Sequence, residues 1–212
     1  MSKHRILSQD QLREAYVHPK PKSIAMQCIL PTLDDHHRAF ISYSPFIVIA
    51  SANAKGECEV SPRGDLPGFV RVVDETTLLI PDRPGNNKIL TLSNIIENTS
   101  ISIIFFVPGR DDALRVNGAA HITKGPDTLA TMEVQGKAPK SAVHVSVEKA
   151  FFHCGKAIIR SQLWSTDAQE NASKLPTLGQ MLSDQVTDLR AQEADETLSK
   201  NYETMLWSDP RS

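Results

Sequence analysis

Cysteine is scarce in this sequence, and its three residues never pair at short spacing. Cys28, Cys58 and Cys154 lie far apart and are odd in number. That excludes a Cys-x-x-Cys zinc site and argues against a disulfide framework. Long apolar runs are missing too. The longest, residues 46–50 and 101–107, fall far short of the roughly 20 residues that a membrane-spanning helix needs. No excess of one charge exists: 23 basic residues face 25 acidic ones, so neither nucleic acid nor an anionic membrane is an expected partner. There is no Gly-x-Gly-x-x-Gly, and the regular strand–helix alternation of a doubly wound parallel sheet is absent. Gly-x-Ser-x-Gly and His-Glu-x-x-His are absent as well, and no cysteine sits in a nucleophile context. The common hydrolase signatures are thereby excluded.

What is present suffices for one core. With 212 residues, 40% of them hydrophobic, the chain can bury one sizeable core with appended helices, and two full domains would be a tight fit. The opening MSKHRILSQDQLREAY reads as a polar lead into an amphipathic helix, not as a signal peptide, so a soluble, cytoplasmic protein is expected. Ser8 with Gln11 forms a capping-box pattern for a helix to about Val17, and the PKPK stretch at 19–22 must end it. A second helical or irregular segment carries DDHHRAF toward Pro45.

Strand character begins at residue 46. Residues 46–52 and 58–61 flank a polar turn with Gly56 and read as a hairpin. Further strands are expected at 70–73, 77–80, 101–107, 114–123, 142–152 and 157–163. In 142–152, Val143, Val145 and Val147 at first alternate with His144, Ser146 and Glu148, as in a half-buried antiparallel strand. Helical spacing appears at 87–98 and 128–136. It returns where Leu178, Met181, Leu182, Val186 and Leu189 follow a second capping box, Thr177 with Gln180. The pattern predicts a mainly β, α+β fold, an antiparallel β-barrel with flanking helices. Its expected parts are an N-terminal helical segment (1–44), a barrel domain (45–165) and a C-terminal linker and helix (166–212).

Four segments concentrate chemistry. The stretch IPDRPGNNK, residues 80–88, follows a strand and opens a helix. Helix starts leave free N–H groups and partial positive charge, which suit a phosphate. Arg83 or Lys88 would add full charge, and Asn86 or Asn87 side-chain donors. A plain surface turn is the other reading, since Pro, Gly and Asn are common in turns. The stretch SPRGDLPG, residues 61–68, presents Arg63 and Asp65 on a constrained loop, where they read as a local ion pair that fixes the turn. Arg115 and Asn117 share one strand face, to meet a polar ligand or solvent. His153, Lys156, Arg160 and Trp164 cluster near two strand ends. Neighbouring His153 and Cys154 would point to opposite faces, so a buried structural cysteine is expected rather than a metal site. The DDHH run at 34–37 lacks a recognised ligand spacing and reads as a polar turn or helix start. No metal site is expected.

In order, FISYSPFIVIASANAKGE, SPRGDLPGFVRV, LLIPDRPGNNK, LSNIIEN, VPGRDDALRVNGAAHIT and AFFHCGKAIIRSQLW resemble the FMN-dependent branch of the pyridoxamine 5'-phosphate oxidase-like proteins. The resemblance runs from about Leu7 to Trp164. It implies a six-stranded split barrel that forms a homodimer with FMN at the subunit interface. It also implies that Arg63 and Lys88 hold the flavin phosphate, with Asn86 and Asn87 beside them. Asn87 stands where the biosynthetic oxidases carry an arginine, so Arg83 is the expected replacement contact. Arg115 is a further carry-over on the strand beside the flavin. His153, Lys156, Arg160 and Trp164 match this branch's own motif and imply contacts offered by the partner subunit. The biosynthetic oxidase's C-terminal substrate motif is not found after Trp164, so oxidation of pyridoxamine phosphate is not expected. The chemistry implied is hydride transfer between FMN and a small molecule whose identity, like the catalytic acid or base, the sequence leaves open. A flavin-binding protein without turnover, or a split barrel using a deazaflavin or haem, are the alternatives.

Overall fold

The computed structural model describes residues 4–207. The first three residues of the expected N-terminal segment and the last five of the C-terminal one lie outside the described residues. Helix α1 (Gln9–Ala15) is capped by Ser8, whose hydroxyl accepts the Gln11 N–H at 3.2 Å. The Gln11 side chain in turn accepts the Leu7 N–H at 2.7 Å, one residue upstream of the usual capping-box partner. The helix stops before the two prolines, as expected. After the single turn α2 (Ile24–Gln27), helix α3 (Asp35–Tyr43) opens with a complete capping box. Asp34 Oδ1 accepts the His37 N–H at 2.8 Å, and His37 Nδ1 accepts the Asp34 N–H at 3.3 Å. Burial lowers the His37 pKa despite Asp34, with His36 adding to the shift. An unprotonated Nδ1 is what that contact needs. The DDHH run is therefore a helix start. Among the described residues, no group of three or more His, Cys, Asp or Glu is placed to hold a metal ion.

The strands are β1 (Phe46–Ala52), β2 (Cys58–Gly64), β3 (Arg71–Val72), β4 (Thr77–Pro81), β5 (Ser100–Phe106), β6 (Ala113–Thr123) and β7 (Ala142–His153). Among the described residues these seven form one antiparallel sheet, in the order β2-β1-β5-β6-β7-β4-β3. Six strands were implied; the seventh is β3, two residues long and paired only with β4. Backbone pairing does not close the sheet, since β2 and β3 are free edges. It curls nonetheless: Arg63 on β2 reaches Asp82, just beyond β4, at 3.1 Å.

Period-two alternation builds the core. Ile47 and Ile49, Ile101, Ile103 and Phe105, Leu114 and Val116, and Val143 and Val145 are all buried. Helix α4 (Leu90–Glu97) contributes Ile95, and α3 contributes Phe40 and Ile41. Asn94 on α4 donates to Ser51 Oγ at 3.1 Å, so this buried amide is satisfied. The alternation of β7 breaks at a bulge. Asn117 pairs with Lys149 but Gly118 with Val147, so Glu148 is the extra residue. The core set therefore passes from Val147 to Ala150. A Cβ on Gly118 would collide with the Ser146 carbonyl, which requires glycine there.

Several expectations fail for identifiable reasons. Residues 157–163 are not a strand. The segment forms helix α6 (Lys156–Ser161) with only Ile158 buried. Cys154 is exposed, because the chain leaves the core where β7 ends. The shorter helix expected at 128–136 is α5 (Pro126–Ala130). The polar linker contains α7 (Thr166–Ala172). Thr177 does cap a helix, accepting the Gln180 N–H at 3.1 Å, but that helix is only α8 (Leu178–Ser183). Val186 and Leu189 fall in the turn that follows, where Asp188 takes a left-handed φ of 66°. The main C-terminal helix is α9 (Ala191–Thr204), packed on α8. Among the described residues no helix is long and apolar enough to cross a membrane.

Candidate functional site

Alternation along β2 places Glu59, Ser61 and Arg63 half-buried on one face, with the residues between them exposed. In register they stand beside Ser51, Ile49 and Ile47, so they belong to the core side of the sheet. Here the interior is polar and open. A cavity of about 170 Å³ lies between these side chains, the loop after β4 and the first turn of α4. That loop brings Asp82, Arg83, Asn86, Asn87 and Lys88 to the cavity wall.

The arginines do not pair as the sequence suggests. No Arg63–Asp65 pair forms. Instead Arg63 Nη1 bonds Asp82 at 3.1 Å, and Arg83 Nε bonds Asp65 Oδ2 at 2.6 Å. Because β2 ends at Gly64, Asp65 lies beyond the strand face that Arg63 occupies. Each residue finds its partner on the opposite loop. Two cross-loop ion pairs thus clasp the curled sheet where backbone hydrogen bonds do not.

Arg83 is the most constrained of these groups. Its side chain is 10% exposed, and that of Asp65 is fully buried. Its Nη2 donates to the Met132 carbonyl at 2.7 Å, while Nη1 is buried with no hydrogen-bond partner. A buried donor without an acceptor is unfavourable. An anionic oxygen in the cavity that Arg83 lines would satisfy it. Burial opposes ionisation of Asp65, but bonds from the Trp207 indole, the Leu66 N–H and Arg83 hold its pKa below the ordinary value. For Asp82 burial wins: its pKa is raised despite Arg63 and Lys140.

The loop itself is unusual. Asn86 Oδ1 accepts the Lys88 N–H at 3.0 Å, and both Asn87 (φ 56°) and Ile89 (φ 48°) are left-handed. Asparagine tolerates that region, whereas a β-branched residue is strained there. Helix α4 consequently starts at Leu90, three residues later than the spacing predicts. Ile89 as its N-cap provides no side-chain bond, so the first N–H groups stand uncapped at the cavity.

The other predicted residues lie elsewhere. Arg115 is on the sheet face opposite the core, with its guanidinium 5.2 Å from the Phe151 ring centroid. His153, Lys156, Arg160 and Trp164 sit at the far end of β7, where the Trp164 indole donates to the Arg110 carbonyl at 2.8 Å. The cavity adjoins the start of β7, because the Asp82 N–H donates to the Ser141 carbonyl at 2.9 Å. Twelve residues of strand separate the two places, roughly 35 Å at the usual rise. A single chain therefore gathers Arg63, Arg83, Asn86, Asn87 and Lys88, and not the remaining five. Sequence reading missed Glu59, Ser61 and Asp82. Period two from Arg63 would have found the first two; Asp82 carried no signal beyond its neighbourhood.

Residues 33–154 match the sequence model of the pyridoxamine 5'-phosphate oxidase family. The chain belongs to this family. The matched region contains the whole cavity and ends before Lys156. No curated protein matches the chain. Among solved structures, HupZ from Group A Streptococcus is 21% identical with a TM-score of 0.47, covering 57% of this chain and 93% of its own. An FMN-binding protein from Syntrophomonas wolfei is 12% identical (TM-score 0.42), covering 54% of this chain and 82% of its own. A pyridoxinephosphate oxidase family protein from Clostridium acetobutylicum is 10% identical (TM-score 0.42), covering 57% and 91% respectively.

Proposed function

We propose that this member of the pyridoxamine 5'-phosphate oxidase family binds FMN and acts as an FMN-dependent oxidoreductase on a small molecule. The observation that carries the reading is the cavity wall: Arg63, Arg83 and Lys88 beside an uncapped helix start, with the buried Arg83 Nη1 lacking an acceptor. At about 170 Å³ the space suits a phosphate and the adjoining chain of a ligand, not a three-ring system. The flavin ring must therefore lie outside it. A second copy of the chain, bringing the region from His153 to Trp164 across, would cover the ring as a homodimer. That arrangement accounts for motif residues that one chain keeps so far from the cavity.

In this reading Lys88 and the free Arg83 nitrogen bind the phosphate directly. Arg63 is shared between Asp82 and the phosphate, and Asn86 and Asn87 add neutral donors. When bound, FMN supplies the hydride chemistry at its N5 position. The protein's part is to anchor one end of the ligand so that the other is held at a fixed place for a substrate. Enzyme and carrier differ in turnover. With FMN bound and reduced anaerobically, an enzyme passes electrons to a particular acceptor, or takes them from NAD(P)H, faster than oxygen reacts. A carrier shows no such partner in the same screen.

A further inference from the structure

The C-terminal segment reaches back to the cavity wall, although it lies beyond the region the family model covers. The Trp207 indole N–H donates to Asp65 Oδ1 at 3.0 Å, across a separation of 142 residues. The same oxygen accepts the Leu66 N–H at 2.7 Å, while Oδ2 holds Arg83 Nε. Both Asp65 oxygens are thus engaged, and Oδ2 holds the Arg83 guanidinium at Nε. With Nη2 fixed on the Met132 carbonyl, Nη1 is left buried and unpartnered, on a side chain that lines the cavity. The end of α9 does not pack tightly on the loop. A second space of about 580 Å³ separates Tyr202 and Met205 from Pro84–Asn87. A hydrogen bond joins this segment to the cradle at Trp207.

The geometry points to Trp207 as a positioning residue for the anion site: through Asp65 it fixes Arg83 so that Nη1 faces the ligand's phosphate. The inference rests on reading the cavity as a phosphate cradle, and it adds that the C-terminal strap belongs to that cradle. A tryptophan that merely docks α9 would stabilise the fold without distinguishing one ligand from another. A positioning residue acts on the phosphate alone.

The test compares FMN with riboflavin, which has the same ring and no phosphate. Affinities for both are measured by flavin fluorescence on the full-length protein, Trp207→Phe, Arg83→Lys and the double variant. In the wild type FMN binds more tightly than riboflavin. Trp207→Phe, which keeps an aromatic ring and loses the N–H, reduces that preference about fivefold and leaves riboflavin affinity unchanged. In the Arg83→Lys background, where the fork is already lost, Trp207→Phe reduces it no further. An unchanged preference in Trp207→Phe, or equal weakening of both ligands, overturns the positioning role while leaving the cradle intact. A wild type that does not prefer FMN overturns the cradle itself. Should Trp207→Phe not fold, Asp65→Asn tests the step on which the role depends: an unchanged FMN preference overturns it.

Discussion

Two regions of this molecule look alike as sequence and differ as structure. The stretch of residues 80–88 and the stretch of residues 151–164 each combine cations, a glycine and residues able to bind a ligand. The first is folded against β2 and becomes a cavity wall, with a buried donor left unmet. The second lies at the end of β7 with His153, Lys156 and Arg160 exposed. Two cations make a site when topology sets a strand edge against a loop and burial leaves N–H groups unsatisfied. On an open helix the same residues are solvated.

The widest contrast between the regions is in stability. Arg83→Met leaves Asp65 buried without its cation and should cost about 3–5 kcal/mol, read from chemical denaturation. A cost below 1 kcal/mol would remove the buried pair from the account. Next is ligand affinity. Lys88→Ala should weaken FMN by roughly 1.5–3 kcal/mol in a folded protein, the range for hydrogen bonds to charged groups. Equal affinity would take Lys88 out of the cradle.

A pH titration sharpens the contrast further. The folded pKa of Asp65 lies below its unfolded value near the ordinary aspartate range. Its contribution to stability is therefore complete above that range and is lost as pH falls through the lower folded value. Asp112 is also shifted down, by its bond from Arg110, so the wild-type slope is not due to Asp65 alone. Comparing Asp65→Asn isolates it: the variant's stability should fall less steeply in acid than the wild type's. The smallest effect belongs to the other region. Arg160→Ala should change stability by no more than about 0.5 kcal/mol, as for an exposed residue away from packing. If it weakens FMN nonetheless, the weakening should track dimer formation across protein concentration.

Much of the fold was legible because alternation and turn chemistry are local. Strands β1, β5, β6 and β7 appear where their β-branched runs stand, whereas the bulge opposite Gly118 carried no signal that was read. The helix starts at Ser8, Asp34 and Thr177 follow from single side chains reaching nearby N–H groups. The losses are non-local. Ile158 and Ile159 read as strand, but they lie in helix α6, which buries Ile158 alone. The spacing of Leu178 to Leu189 continued through a turn, and α9 carries too few apolar residues to announce itself. Within the site, residues sharing one loop were found together. What composition could not show was the exchange of partners between Arg63–Asp65 and Asp82–Arg83, or the reach of Trp207, since both depend on how the sheet curls.

The central claim is that the cavity beside Arg83 and Lys88 holds the phosphate of a flavin. The most direct measurement is the visible absorption spectrum of the purified protein, with the released chromophore identified by chromatography and added FMN titrated in. The account predicts a flavin spectrum, FMN as the chromophore, and about one molecule per chain. A colourless protein that also fails to take up added FMN would contradict it.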